Sequence, residues 1–193
     1  IISKGQTLKK TSKNKDLTYE IHFQANRNNY ECSVEFVPHI SVYSKGMKKA
    51  NINNGFVFGG EIGTLLGRTP FKWWQLAGAS YKYTVEEISG LIREYIIPIF
   101  DDFEDKETNI EYIMNDKPAV HNLLYYVYYF GGKDRAEKYF NKILKEDKFN
   151  EENITELIKS YKAVKHLGVF DKARLKEEDK ASREKYYKEN NKK

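Results

Sequence analysis

Cysteine is nearly absent from this chain: Cys32 is the only one in 193 residues. No internal disulfide can form, so disulfide-stapled secreted frameworks and multi-cysteine metal sites are excluded by count, and a reducing compartment, the cytoplasm, is expected. Long apolar runs are missing too. No stretch approaches the roughly 18 to 20 residues that span a bilayer, and the first residues lack the apolar segment and cleavage pattern of a signal peptide, so no membrane association is expected. Histidine is limited to His22, His39, His121 and His166, none at the i, i+3 or i, i+4 spacing that sets two ligands on one helical face. No phosphate-loop motif occurs. Gly55, Gly59, Gly60, Gly63 and Gly67 cluster, but Gly67 is followed by Arg68 and Thr69, and the position five before it is Ile62. A Walker loop requires Gly at that position and Gly-Lys-Ser/Thr at the end, so tight turns and bulges are expected instead. No cofactor is expected.

What is present is the composition of a folded protein, 40% hydrophobic and 15% aromatic, with charges spread along the chain. The length suits one domain or one domain with a helical extension. The net charge of +5 is unevenly placed: residues 1 to 80 hold 11 Lys or Arg against 5 Asp or Glu, and residues 81 to 193 hold 22 against 23. A basic half can favour an anionic partner, yet lysines also protect exposed strand edges.

Periodicity divides the chain into a sheet half and a helical half, an α+β protein with an antiparallel sheet of four to five strands covered by a helix and followed by an antiparallel helical stack. Leu17, Tyr19, Ile21, Phe23 and Ala25 alternate with Thr18, Glu20, His22 and Gln24, the pattern of a half-buried strand. After Asn26, Arg27, Asn28 and Asn29 the alternation resumes through Tyr30, Cys32, Val34, Phe36, Ile40 and Val42, predicting a long hairpin in which Pro38 marks a bulge, an edge or a break. Gln6 to Lys13 reads as a first strand, Ser44 to Ile52 as a short helix, and Gly55 to Ile62 and Phe71 to Leu76 as further strands. At Thr84 the period changes. Thr84, Val85, Glu86 and Glu87 have the form of a capping box, followed by a stripe of Val85, Ile88, Ile92, Tyr95, Ile96 and Ile99 that Pro98 should end or kink near Ile97. Helices are then expected over Thr108 to Asn115, from Pro118 to the Gly131–Gly132 stop with Val120, Leu123, Leu124, Val127 and Phe130 as its stripe, over Lys133 to Lys145, and over Glu151 to Leu167 with Gly168 as a stop. The expected divisions are 1–105, a helical part over 106–170, and a solvated tail over 171–193 that contributes little to stability.

Several short features occur in a characteristic order: Gly5 and Thr7 in a Gly-x-Thr opening, a strand ending in Phe23 and Gln24 with Asn28 after it, an extended His39, Ile40 and Ser41, and a helix ending in Pro98, Ile99 and Phe100. In this order residues 5 to 103 resemble the bacterial family catalogued as domain of unknown function 4304. The resemblance covers about half of the chain and supplies no catalytic residues.

Chemistry could reside in few places. With a four-residue loop over Asn26 to Asn29, the hairpin register places Glu20 opposite Glu35. Two carboxylates on one face can do acid–base work when buried, but on an open face a lysine such as Lys9 would neutralise them. His22 and His39 could share that face, where a metal would also need Glu20 or Glu35. Cys32, alternating with core residues, is expected to be an inert buried thiol. Trp73 and Trp74 point to opposite sides if extended, so one is core and the other is a candidate recognition contact. The candidate binding residues are therefore Glu20, His22, Glu35, His39, Trp73 and Trp74, with no catalytic or metal residues assigned. The expected function is a non-catalytic binding or interaction module whose partner is another protein. The rivals are an enzyme built on the carboxylate pair, and a nucleic-acid binder using the basic half, against which the glutamates of the polar face and the lack of an RNP-like aromatic pattern argue.

Overall fold

Alternation decides the centre of the fold. In the computed structural model, β3 (Leu17–Ala25) and β4 (Glu35–Ser44) pair antiparallel, with β2 (Thr7–Thr11) on the far side of β3 and β1 (Ile2–Lys4) beyond it. Along the other edge of β4, β5 (Phe56–Glu61) pairs with His39 to Tyr43, and the two-residue β6 (Trp74–Gln75) pairs with Glu35 and Phe36. The sheet order is β1-β2-β3-β4-β5, with β6 off that path. The structure describes the backbone of residues 2–66, 71–115 and 123–145, and the side chains within 5–66, 71–115 and 123–143. All belong to one compact unit, Ile1–Asp147, and a second unit comprises Lys148–Lys193. The expected helix over Glu151 to Leu167, its Gly168 stop, the tail over 171–193, and the segment from Pro118 to Val120 lie outside the described residues.

The hairpin has the expected faces and a different register. Tyr19 pairs with Val42, Ile21 with Ile40 and Glu20 with Ser41, a shift of six residues from the four-residue-loop expectation. An even shift keeps each side chain on its face, because strand side chains alternate with period two. Leu17, Tyr19, Ile21, Phe36, Ile40 and Val42 are accordingly buried. Phe23, of the same alternating apolar set, is only half-buried at the strand end. The shift arises in the loop over 26–34, which asparagines close. Asn29 Oδ1 accepts from the Glu35 amide at 2.7 Å, Asn29 Nδ2 donates to the Glu35 carbonyl at 2.9 Å, and Asn26 Nδ2 donates to the Glu35 carboxylate at 2.7 Å. β4 therefore starts at Glu35, and Cys32 and Val34, expected in the core, are exposed.

Pro38 is a strand residue whose missing donor costs little. Its partner Phe23 sends its amide away, to the Gln6 carbonyl at 2.8 Å, so this is a position where β3 and β4 exchange no hydrogen bond. On the opposite side Pro38 falls between the end of β5, at the His39–Glu61 pair, and the start of β6, at Phe36–Trp74. It is a local edge inside a long strand. Gly59 is the residue that lets β5 approach: its φ is +156°, and a Cβ there would lie 2.2 Å from the Ile40 carbonyl oxygen.

Helices cover the apolar face. α1 (Lys45–Lys49) follows β4 directly, with the Ser44 hydroxyl accepting from the Met47 amide, and α2 (Ile62–Leu65) follows β5. α3 (Tyr81–Leu91) begins three residues before the expected capping box. Thr84 is instead buried inside the helix, and its hydroxyl donates 2.7 Å to the Gln75 carbonyl, a tertiary bond with the spelling of a cap. A π-turn over Ile92–Ile96 then leads into α4 (Ile97–Asp102), with the Ile97 amide bonded to the Ile92 carbonyl. Pro98 lacks an amide and its ring would press on the carbonyl four residues back, and the wider turn just before it accommodates both without ending the helix. The extra residue moves the buried stripe to Thr84, Ile88, Ile96 and Phe100, leaving Val85 exposed and Ile92 and Ile99 half-buried. Phe100 stacks on Tyr19 with ring centroids 4.9 Å apart, which sets this run over the β3–β4 core.

α5 (Lys106–Asn115), α6 (Leu123–Gly131) and α7 (Lys133–Lys145) follow as expected, with Gly132 in a left-handed conformation between the last two. Leu124, Tyr126 and Val127 of α6 are fully buried, while Tyr129 is partly exposed. Phe103 contacts Phe58 of β5 and Tyr126 of α6, so the helices after α4 share the core of the sheet.

Candidate functional site

The register assembles a transverse row on the polar face of the sheet: Thr7 on β2, His22 on β3, His39 on β4 and Glu61 on β5 are successive partners. The row grades from solvent to interior. His22 is exposed, with its Nδ1 2.9 Å from the Thr7 hydroxyl. His39 is half-buried, and its Nε2 is buried with no hydrogen-bond partner. Burial pushes the His39 pKa below its ordinary value, the neighbouring His22 adds to this, and Glu61 opposes it. Glu61 is buried and its carboxylate is committed. It accepts from the amides of Gly63 and Thr64 and from the Thr64 hydroxyl, each at 2.8 Å, as the N-terminal cap of α2. A carboxylate so saturated serves to hold a helix end.

The expected carboxylate pair does not form. Glu35 lies opposite Asn26, six positions along β3 from Glu20, which amounts to roughly 20 Å at the usual strand rise. Glu20 is held by Lys9 at 2.7 Å, the neutralisation foreseen from the first strand, and Glu35 is held by Asn26. His22 and His39 do share a face, as direct cross-strand partners. No group of three or more His, Cys, Asp or Glu able to hold a metal ion occurs among the described residues.

The two tryptophans separate as their alternation requires. Trp74 is buried opposite Phe36, with an indole Nε1 that has no hydrogen-bond partner and with the Lys72 ammonium 5.0 Å from its ring. Trp73 remains half-exposed and packs edge-on against Phe71 at 5.4 Å. Around them lies a rim that sequence reasoning had not assembled. Its organiser is Gln75. The Gln75 side chain accepts from the Val34 amide at 2.8 Å and donates to the Ser33 hydroxyl at 3.1 Å, while its carbonyl accepts from Thr84. The Val34 carbonyl accepts in turn from the Leu76 amide at 2.7 Å. These bonds draw together the loop over 26–34, the β6 segment and the first turns of α3. Of the nine large hydrophobic side chains exposed among the described residues, six belong to these three segments: Tyr30, Val34, Phe71, Tyr81, Tyr83 and Val85. No local signal marked them, since the expected stripe began at Val85 and the helix was expected to start only at Thr84, and the approach of these segments to one another depends on β6 and Gln75.

No helix among the described residues is long and apolar enough to cross a membrane. Searches among curated proteins and among solved structures returned no match to this chain. A family model matches residues 4–102, the segment that carries β2 to β6, the polar row, Gln75 and the covering helix, and the chain belongs to that family, described as Domain of unknown function (DUF4304).

Proposed function

We propose that this domain is a non-catalytic interaction module, working in a reducing compartment, that seats a protein partner on the aromatic rim around Trp73. The observation that carries the reading is the concentration of exposed aromatic and aliphatic side chains on three segments tied together by Gln75, with Tyr83 74% and Tyr30 68% exposed. Isolated exposed hydrophobics are ordinary, whereas several on segments bonded to one another favour a recognition surface. Tyrosine and tryptophan suit that role because they bring large area with few rotatable bonds. The polar row supports catalysis less well, because Glu61 is spent on a helix cap and the carboxylate pair is apart.

The test is a comparative capture from native lysate using the full chain and the double variant Trp73→Ala/Tyr83→Ala, with thermal melting as the folding control. A protein bound stoichiometrically by the parent and lost with the variant is the expected result. Capture of nucleic acid, or a partner set unchanged by the variant, overturns the reading. So does a catalytic turnover that survives the variant and is lost in His39→Gln.

A further inference from the structure

Five exposed lysines lie on segments at the Leu17–Ser44 end of the β3–β4 hairpin. Among the described residues, Lys9, Lys10, Lys72 and Lys82 each meet a carboxylate, in the pairs Lys9–Glu20, Lys10–Asp101, Lys72–Glu87 and Lys82–Glu86. Lys13, Lys15, Lys45, Lys48 and Lys49 are all exposed and none pairs with a carboxylate among the described residues. The first two lie in the β2–β3 turn and the other three on α1. Asp16 stitches these segments together: its carbonyl accepts from the Lys45 amide at 2.9 Å, and its carboxylate accepts from the Gly46 amide at 2.9 Å and from the Ser44 hydroxyl. Lys45, Lys48 and Lys49 share one side of α1 by their spacing.

Two carboxylates near this end, Asp16 and Glu104, are already engaged. Asp16 also takes the Lys106 ammonium at 3.1 Å, and Glu104 takes the Lys13 amide at 3.0 Å and lies 4.0 Å from the Lys10 ammonium. Cations in the last turn of a helix offset its carbonyl end, which accounts for Lys48 and Lys49 but not for Lys13, Lys15 or Lys45. Five uncompensated charges on two joined segments produce a positive potential that attracts an anionic partner.

We propose that this lysine end docks a short acidic segment of a partner protein, rich in aspartate or glutamate. Two observations favour that occupant over a nucleic acid. The exposed Tyr43, next in the chain to Ser44, packs edge-on against Phe56 at 5.7 Å instead of offering a free pair of stacking faces to bases. The surface is also bounded: Asp101, Asp102 and Asp105 stand exposed just past Lys10 and Lys13, so a long polyanion would run into like charge where a short segment would not. The rim around Trp73 lies at the Ala25–Phe36 end of the β3–β4 hairpin and the lysines at its Leu17–Ser44 end, so the two surfaces are independent.

The experiment measures binding of the full chain to a labelled ten-residue glutamate peptide by fluorescence anisotropy, beside a twenty-residue oligothymidylate. Saturable, salt-sensitive peptide binding is expected, weakened about tenfold in Lys48→Glu/Lys49→Glu, which is about 1.4 kcal/mol. The Lys82→Glu control should change it less than about twofold, and all variants should retain the parental melting transition. Absent peptide binding overturns the proposal, as does an equal loss in the control. Tighter binding to the oligonucleotide than to the peptide overturns it in favour of nucleic acid.

Discussion

At the scale of single residues, the polar groups of the sheet divide into those that water or a partner satisfies and those that the fold has taken out of water. Glu20 and Lys9 form a partly exposed pair of the kind that contributes little to stability, and Glu61 and Asp16 are committed to backbone amides. Burial alone would raise the Asp16 pKa, but the Gly46 amide, Lys106 and Ser44 together hold it below its ordinary value. His39 falls in neither group, a half-buried imidazole beside a second histidine with one nitrogen that, like the Trp74 indole N–H, has no hydrogen-bond partner. Its pKa is lower folded than unfolded, so the folded protein binds the proton less readily. Its contribution to stability is complete above the unfolded value of about 6.5 and is lost as pH falls from there through the folded value. Denaturant unfolding between pH 7.5 and pH 5 should show decreasing stability, and His39→Gln should flatten that slope. An unchanged slope in the variant would assign the acid sensitivity elsewhere.

At the scale of elements, the covering helix shows how tertiary bonds displace local signals. The Thr84-Val85-Glu86-Glu87 string is a capping box by composition, yet the helix starts at Tyr81 and the Thr84 hydroxyl spans to β6. Glu87 likewise meets Lys72 at 3.0 Å. Replacing Thr84 by Val keeps the shape and removes the donor, leaving the Gln75 carbonyl with the weaker 3.4 Å contact from Ser80. A loss of about 1 to 2 kcal/mol in denaturant unfolding is expected, together with weaker partner binding at the rim, because Gln75 positions it. If Thr84 were a cap, Glu87→Ala would cost a comparable amount, because it removes the side chain that would reach back to the cap amide. The expectation is less than about 0.5 kcal/mol, since its present bond is an exposed ion pair.

At the scale of the molecule, the family segment is not the folding unit. The match ends at residue 102, but Phe103 packs against Phe58 and Tyr126, Lys106 reaches Asp16, and the compact unit extends to Asp147. A fragment ending at Asp147 should unfold cooperatively with native-like far-ultraviolet circular dichroism. One ending at Asp102 should lose that cooperativity and bind a hydrophobic dye, because it uncovers aromatic surface on β5 and beneath α5 and α6. Cooperative unfolding of the shorter fragment would show that the family segment carries its own core.

What the sequence determined by itself is what depends on nearest neighbours and on period. The two-residue alternation from Leu17 to Ala25 assigned β3 to the residue and chose its buried face, and glycine at 132 marked the turn between α6 and α7. The same periodicity could not select the hairpin register, because the asparagine loop over 26–34 is closed by side-chain bonds to Glu35 that no short-range pattern encodes. Nor could it position the buried stripe of the covering helix, which a single extra residue in the π-turn before Pro98 rotates. Of the candidate residues, His22 and His39 were legible as face-mates, and Trp73 and Trp74 as a more exposed and a buried member of one pair, by alternation alone. The aromatic rim and the lysine end were decided by the tertiary structure, because each joins segments distant in the chain through one polar residue: Gln75 at one end of the hairpin and Asp16 at the other.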